Sequence, residues 1–396
     1  MRLCFVHPFL SEKGGAQLAL QWLLKGLAEG RRHVRLCVAR DDDGSAEELQ
    51  RHQVDVQVWR GKTSEVTEMN PFFLQWLGDQ MRKFDVAIAG NYPSTLWLAG
   101  AQSITREKIP LVWNCNEPPR HLYEETLSSH FLKSPVDPKF YFPWTLASKR
   151  KKQQSEVNAD QAAVKAFRQI VSISQQTADW VEKIYKSQSR IIPLGVGDMA
   201  FGDKQTSSEF TYLAPAGFEP IKNYKTILQA FHLLTEKLKE TKGVKLILVG
   251  DGPGKETALA LTRRLKLKER VTFVGRIPRA DLIQLYHQCD VVLFVPLDEP
   301  FGLISCEAGI AAKPAIMSNH GGPSEVVVDQ VTGYLVNPLS PEDISEKMLE
   351  LFRDRDRCAK MGEAARLRIE KHFAFPRYLE EYEKLLAALM NVQVRD

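Results

Sequence analysis

Residues 291–312, VVLFVPLDEPFGLISCEAGIAA, form the stretch that decides the fold. Its first four residues are apolar and bounded by turn formers, which predicts a buried strand. A loop with two prolines and a glycine follows, and the alanine-rich segment after it predicts a helix. In open α/β sheets, ligands bind at the carboxyl ends of strands, where such loops begin the next helix. The stretch therefore predicts a βα unit with Glu299 in a ligand-binding loop and Glu307 in the helix.

The same alternation of strand and helix patterns recurs along the chain. Ten further strands are predicted at residues 2–7, 33–39, 54–59, 85–89, 111–115, 169–172, 210–214, 245–249, 271–274 and 314–317. Such alternation favours parallel sheets covered by helices on both faces. Because 396 residues are many for one core, we expect two Rossmann-like domains, residues 1–195 and 205–375. The last helix, residues 376–396, should return to the first domain.

Composition excludes several classes of protein. The formal net charge of +4 is too small for a dedicated nucleic-acid binder, so no nucleic-acid partner is expected. The six cysteines show neither a CxxC pair nor a metal spacing, which favours a reduced, cytoplasmic location. The amino-terminal residues lack a signal-peptide pattern, and no stretch approaches the roughly 20 apolar residues of a membrane span.

Motifs in the second half resemble those of one enzyme family. The segment EPFGLISCE at 299–307 matches the E-x7-E motif of family 4 glycosyltransferases. Five further segments resemble stretches of that family: GGPSEVV at 321–327, TGYLV at 332–336, GDGP at 250–253, VGR at 274–276 and IIPLGV at 191–196. The resemblance implies the α/β GT-B fold, in which two facing Rossmann-like domains with parallel sheets enclose a cleft. The first domain would bind the acceptor and the second the nucleotide-sugar donor.

The resemblance also implies a reaction and a site. The reaction is metal-independent, retaining transfer of a hexose, with mannose as the first expectation, to a glycan or lipid-linked acceptor. The implied catalytic residues are Lys222, Glu299 and Asn116, and the implied donor-binding residues are Gly15, Arg276, Phe301, Gly302, Leu303 and Glu307. An ammonium suits such a site because the departing diphosphate gains negative charge. A carboxylate can accept both vicinal hydroxyls of a ribose.

The first half resembles the family less closely. The segment GGAQ at 14–17 resembles a glycine loop that approaches ligands, and Gly14 and Arg120 are expected on the acceptor side. The segment NCNEPPRHLY at 114–123 resembles mannosyltransferase-like members, so GDP-mannose is the first expected donor. Asn116 replaces the family's histidine, and an asparagine cannot transfer a proton. Residues 216–217, AG, stand where the family has an arginine, which Arg276 or Arg120 could replace.

Other interpretations remain open. One is a non-catalytic protein of the same fold that binds a nucleotide sugar or a glycan. It would explain why Asn116 replaces the family's histidine and why residues 216–217 lack its arginine. A nicotinamide-dependent oxidoreductase rests only on the strand–helix pattern, because GDGPG lacks the full dinucleotide fingerprint. The D-x-D spacing of Asp41 and Asp43 lies beside Gly44 and indicates a polar turn, so no metal site is predicted.

A basic aromatic segment extends from Phe140 to Lys152, with KFYFPWTL at 139–146 and KRKK at 149–152. Aromatic rings and lysines together suit the interface of an anionic membrane. The segment therefore predicts peripheral contact with the inner face of a membrane.

Overall fold

The computed structural model describes residues 1–11, 14–41, 43–62, 66, 69–106, 108–127, 147–197, 199, 209–239 and 243–393. These residues form two compact units. The first contains the described residues of 1–127, 142–195 and 376–396, and the second contains those of 196–375. Each unit has a parallel sheet, so the prediction of two α/β domains is confirmed.

The first unit contains a seven-stranded sheet in the order β3-β2-β1-β4-β5-β6-β7. Its strands are β1 Arg2–Leu10, β2 His33–Asp41, β3 Asp55–Val58, β4 Val86–Ala89, β5 Leu111–Cys115, β6 Gln169–Ser172 and β7 Arg190–Ile191. Its described helices are α1 Gly15–Glu29, α2 Ser45–Arg51, α3 Pro71–Met81, α4 Ser94–Thr105, α5 Arg120–Leu127, α6 Ala147–Val164 and α7 Gln175–Tyr185.

The second unit contains a six-stranded sheet in the order β10-β9-β8-β11-β12-β13. Its strands are β8 Phe210–Pro215, β9 Val244–Val249, β10 Val271–Gly275, β11 Val291–Phe294, β12 Ala315–Ser318 and β13 Gly333–Val336. Its described helices are α8 Tyr224–Leu238, α9 Lys255–Arg264, α10 Arg279–Gln288, α11 Leu303–Ile310, α12 Pro323–Val326, α13 Pro341–Arg353 and α14 Arg355–His372, with a 3₁₀ turn at Pro220–Lys222. Strands β7 and β13 were not predicted.

Strand β11 shows why this sequence forms a buried sheet. Val291 and Leu293 join one hydrophobic cluster, whereas Val292 and Phe294 join a second one. Successive side chains of a strand point to opposite faces, so a strand covered on both faces must be apolar throughout. The small residues of α11 have two environments. Ala308 packs with the second cluster, whereas a Cβ on Gly309 would lie 2.3 Å from Ile369 of α14. One part of this small-residue surface therefore packs on the sheet, and another part packs on a helix.

The last helix, α15, covers Phe375–Gln393. Arg190 pairs with Glu381 at 3.0 Å, and Arg32 pairs with Glu383 at 3.4 Å. Both arginines belong to the first unit, so the helix packs there although it follows the second unit in the chain.

All six cysteines are buried, and none of them forms a disulfide. In the described part of the chain, no helix is both long and apolar enough to cross a bilayer.

Candidate functional site

The site in the second unit begins with the loop between β11 and α11. Gly302 caps the helix with a φ of 80°, a left-handed conformation that favours glycine. A Cβ there would also lie 2.7 Å from Pro323. The amide of Ser305 donates to the Gly302 carbonyl at 2.8 Å, which starts the helix directly after the loop. Glu299 thus precedes the amino end of α11, and Glu307 lies inside it.

A second loop that contains glycines, between β12 and α12, holds the loop between β11 and α11 in position. The amide of Gly322 donates to the carbonyl of Glu299 at 2.8 Å. A Cβ on Gly322 would lie 2.2 Å from the Cα of Phe301, and one on Gly321 would lie 2.7 Å from the Glu299 carbonyl oxygen. The two backbones therefore touch where side chains would prevent it. This contact sets the positions of Glu299 and Phe301.

Lys222 ends the 3₁₀ turn after β8 and lies beside Glu299. Its Nζ donates to Oε2 of Glu299 at 2.7 Å, and their side chains are 25% and 17% exposed. The following residue, Asn223, is buried with a left-handed φ of 62°, and its amide donates to the carbonyls of Val295 and Pro338. The structure thus brings together two of the three predicted catalytic residues.

Glu307 is buried, with 4% of its surface exposed. Its Oε2 accepts a hydrogen bond from the Tyr286 hydroxyl at 2.6 Å, and its Oε1 accepts one from the Arg279 guanidinium. Burial and the charge of Glu307 both raise the pKa of Tyr286, so this hydroxyl remains a donor at neutral pH. Each carboxylate oxygen therefore has one fixed partner.

Arg279 and Tyr286 were not predicted. Both lie on α10, 28 and 21 residues before Glu307, and no motif of the sequence joins them to it. The available signal was the position of Arg279, which begins a helix after the carboxyl end of β10.

The predicted donor residue Arg276 is exposed in the loop after β10. Its charge contributes to the lowered pKa of Asp251, although hydrogen bonds from the Gly252 amide and from Lys255 contribute more. No described contact joins Arg276 to Lys222 or Glu307.

The loop that lacks the family's arginine packs closely against the loop after β9. A Cβ on Gly250, which has a φ of 126°, would lie 2.3 Å from the carbonyl oxygen of Ala216. The Phe218 amide donates to the Asp251 carbonyl at 3.0 Å, and the Gly254 amide donates to the Phe218 carbonyl at 2.8 Å. These backbone contacts give the loop a defined shape without an arginine.

Gly14 and Gly15 begin α1 in the first unit, after β1. Gly14 is the N-cap, with a φ of 107°, and Gly15 is the first helical residue. A Cβ on Gly14 would lie 2.8 Å from Oε1 of the buried Gln17. The side chain of Gln17 therefore fills the side that glycine leaves free, while Gly14 and Gly15 themselves are exposed.

Asn116 follows β5, and its Nδ2 donates to Oδ1 of Asn91 at 2.9 Å. Asn91 follows β4, the neighbouring strand, and was not predicted. The guanidinium of Arg120 hydrogen bonds to Glu117 and lies 5.9 Å from the centre of the Trp180 ring. The carboxyl edge of this sheet thus carries two paired amides and a neutralised arginine.

His7, which the sequence placed at the end of the first strand, is packed inside the unit. It is 1% exposed, and its Nδ1–H donates to the Phe9 carbonyl at 2.6 Å. A Cβ on Gly90 would lie 2.4 Å from its ring. Burial lowers the pKa of His7 to about 4, so the ring is neutral at pH 7.

The lowered pKa of His7 makes stability depend on pH. Between the usual value of 6.5 and the native value of about 4, the unfolded chain binds a proton that the native chain does not. Above this window, the neutral His7 ring makes its full contribution to the free energy of unfolding. That contribution falls as the pH is lowered through the window, by about 2 kcal/mol at pH 5. Urea denaturation gives the free energies of unfolding of the wild type and of His7→Asn. We expect the difference between them to shrink by that amount from pH 7 to pH 5. A difference independent of pH would contradict a neutral buried ring.

The carboxylates of the D-x-D spacing are engaged at the start of α2. The amide of Ala46 donates to Asp41 at 3.2 Å. Ser11 and Ser45 donate to the two oxygens of Asp43, at 3.0 and 2.5 Å. These contacts agree with a polar turn that caps a helix. Among the described residues, no three potential metal ligands lie close enough to share an ion.

The predicted membrane segment falls mostly outside the described residues. Residues 128–146 are not described, and residues 149–152 lie in α6, where their side chains are not described. Membrane contact through this segment stays a prediction.

Two family models match the chain. "Glycosyltransferase Family 4" matches residues 13–198, and "Glycosyl transferases group 1" matches residues 202–368. An N-acetyl-alpha-D-glucosaminyl L-malate synthase of Bacillus anthracis is 29% identical over 180 residues, which are 46% of each chain. The alpha-1,3/1,6-mannosyltransferase ALG2 of Mus musculus is 26% identical over 240 residues, which are 55% of this chain and 58% of that one. The chain thus matches about half the length of these curated relatives.

Among solved structures, Anabaena Alr3699/HepE in complex with UDP-glucose is similar to this chain with a TM-score of 0.75. The match covers 98% of this chain and 100% of that one, at 19% sequence identity. An identity this low shows a common fold.

Proposed function

The chain belongs to the family 4 glycosyltransferases, and we propose that it transfers a hexosyl group from a nucleoside-diphosphate sugar to a hydroxyl of a glycan or lipid-linked acceptor. The observation that carries the proposal is the arrangement around α11. Lys222 and Glu299 are paired before its amino end, and Glu307 lies in the helix between Arg279 and Tyr286. A cation held by the turn after β8, the amides at the start of α11 and a buried carboxylate inside that helix thus belong to one site.

Glu307 would bind the ribose of the donor. A carboxylate has about four acceptor positions, and Arg279 and Tyr286 occupy one on each oxygen. The remaining positions can accept the two vicinal hydroxyls. Because its partners fix its orientation before the ligand arrives, little ordering is needed on binding.

Lys222 and the amino end of α11 would bind the diphosphate. The amides of Phe301, Gly302 and Leu303 lie at a helix start, where backbone N–H groups and the helix dipole favour anions. Lys222 adds a full positive charge near them. When phosphate oxygens take over this ammonium, Glu299 is free to accept hydrogen bonds from the hydroxyls of the donor sugar.

The chemical step follows from these assignments, with retention as the family implies. The bond between the anomeric carbon and the phosphate oxygen breaks, and its electron pair leaves with the diphosphate. The acceptor oxygen bonds to the same face of the anomeric carbon and passes its proton to the departing phosphate oxygen. Asn116 can bind a sugar hydroxyl but cannot carry this proton, so the leaving group must accept it. Lys222 stabilises the charge that develops.

The first unit would bind the acceptor. Gly14 and Gly15 offer an exposed backbone at a helix start, and Asn116 offers an oriented amide. Arg120 is already paired with Glu117, so its contribution to an anionic ligand would require that pair to open.

The identity of the donor is the first matter to test. We expect a GDP-sugar, first GDP-mannose, to raise the melting temperature most, because the segment 114–123 resembles mannosyltransferase-like members. A UDP-sugar is the second choice, since a similar solved structure holds UDP-glucose. A ligand at about 100 times its Kd stabilises the native state by about 2.7 kcal/mol, which a thermal-shift screen detects. If no nucleoside-diphosphate sugar stabilises the protein, the proposed function is wrong.

A non-catalytic binding protein of the same fold is the second candidate. Residues 216–217 lack the family's arginine, and Asn116 lacks the family's histidine. This candidate predicts that a donor sugar binds and is neither transferred nor hydrolysed. Release of the nucleoside diphosphate in the presence of mixed glycan acceptors would exclude it.

A further inference from the structure

Six exposed cations lie at the edge of the first sheet where the strands begin, opposite the glycine loops. They are Lys83, Arg106, Lys108, Lys165, Arg168 and Lys186, and we call them the basic edge. Each lies between a helix and the strand that follows it, in the connections that lead into β4, β5, β6 and β7. These four strands are neighbours in the sheet, so the basic edge is about 15 Å wide.

The basic edge is not neutralised within the described part of the chain. None of its six side chains forms an ion pair with another described residue, whereas the nearby carboxylates of Asp79 and Asp85 are paired with Arg82 and Arg2. This edge of the first unit therefore has a concentrated positive charge, although the net charge of the chain is only +4.

Helix capping does not explain all of these cations. A positive charge stabilises a helix only within its last turn, which accounts for Arg106, Lys165 and Lys186. Lys108 lies three residues beyond the end of α4, and Arg168 lies four residues beyond the end of α6. Together with Gln102 and Ser103 they line a recess of about 380 Å³. Such a recess can accommodate a phosphate group.

We propose that the basic edge docks the protein on an anionic phospholipid membrane. Its charges spread across four strands instead of converging on one point, which suits a layer of headgroups better than a single small anion. Ile104, 42% exposed in the last turn of α4, adds an apolar side chain beside Arg106 that can enter the interface. The basic segment at residues 149–152 lies at the other end of α6, a helix of 18 residues and thus about 27 Å long.

The proposal is tested by co-sedimentation with equimolar phosphatidylcholine–phosphatidylglycerol vesicles at low salt. The edge variant carries Lys83→Gln, Lys108→Gln, Lys165→Gln and Arg168→Gln. A basic residue at an anionic bilayer strengthens binding roughly fivefold, so this variant, which lacks four of them, should bind roughly several hundredfold more weakly. Its nucleotide binding and its melting temperature should stay close to those of the wild type.

A matched control removes the same charge from the second unit, with Arg263→Gln, Arg264→Gln, Lys266→Gln and Lys268→Gln, all exposed at the end of α9. This variant should bind vesicles like the wild type. The proposal fails if the wild type does not sediment, or if both variants lose binding equally, because the effect is then one of net charge. It also fails if only neutralisation of residues 149–152 abolishes binding. Binding to heparin without binding to vesicles would assign the edge to a polyanion instead.

Discussion

Lys222→Ala is expected to lower turnover by roughly 10²–10³, because loss of one preorganised donor to a developing negative charge costs about 3–4 kcal/mol. Lys222 is the cation that the structure places beside Glu299 and near the start of α11. Affinity for the free nucleoside diphosphate should fall less than turnover, since charge on the leaving group is greatest in the transition state. The measurement is steady-state kinetics with the donor found by thermal shift.

Lys225→Ala is the matched control, because Lys225 is exposed one turn further on, in α8. It should leave both the turnover and the affinity for the nucleoside diphosphate unchanged. A double-mutant cycle with Glu299→Ala distinguishes two roles of Lys222, the positioning of Glu299 and direct action on the diphosphate. If Lys222 only holds Glu299 in place, the double variant will be no slower than Glu299→Ala. A further loss relative to Glu299→Ala supports direct action of Lys222 on the diphosphate.

The same reasoning predicts that no divalent metal is needed, because the cation and the helix start supply the positive charge. EDTA should leave wild-type turnover nearly unchanged. If EDTA inhibits strongly and manganese restores turnover, a metal ion binds the diphosphate and the role assigned to Lys222 is wrong. Asp41 and Asp43 would then be the next candidates.

The fold was predictable where the sequence pattern is local. An apolar run such as residues 291–294 must be buried on both faces, and the eleven predicted strands all appear. Strand β13 was missed because the segment TGYLV at 332–336 is short and flanked by a glycine. It becomes a strand only because β12 is beside it to accept its hydrogen bonds.

The site was predictable only where its residues share a motif. Glu299 and Glu307 lie eight residues apart, so one loop and one helix contain both. The contacts of Glu307 with Tyr286 and of Asn116 with Asn91 join separate segments. Their meeting depends on strand order and helix packing, and no local pattern encodes it. No pattern in the sequence predicts that Glu307 is buried, because burial requires the hydroxyl and guanidinium of α10 to offset its desolvation.

Glu307→Ala is expected to weaken binding of the nucleoside diphosphate by roughly 10–150-fold, because hydrogen bonds to a charged acceptor contribute about 1.5–3 kcal/mol. Tyr286→Phe should weaken it by less, about fivefold, since Arg279 still holds the other oxygen of the carboxylate. Truncation of a buried residue can also disturb the loop, so affinity alone does not prove a ribose contact.

A thermodynamic cycle with the ligand removes this ambiguity. The wild type should bind the 2′,3′-dideoxy nucleoside diphosphate much more weakly than the normal one, because Glu307 then loses both hydroxyls. In Glu307→Ala the two ligands should bind with nearly equal affinity, whatever the general loss. Tyr286→Phe should still discriminate between them, because its carboxylate remains. Calorimetric titration of both ligands against the three proteins gives the cycle. If folded Glu307→Ala still discriminates between the ligands as the wild type does, the ribose does not bind at Glu307.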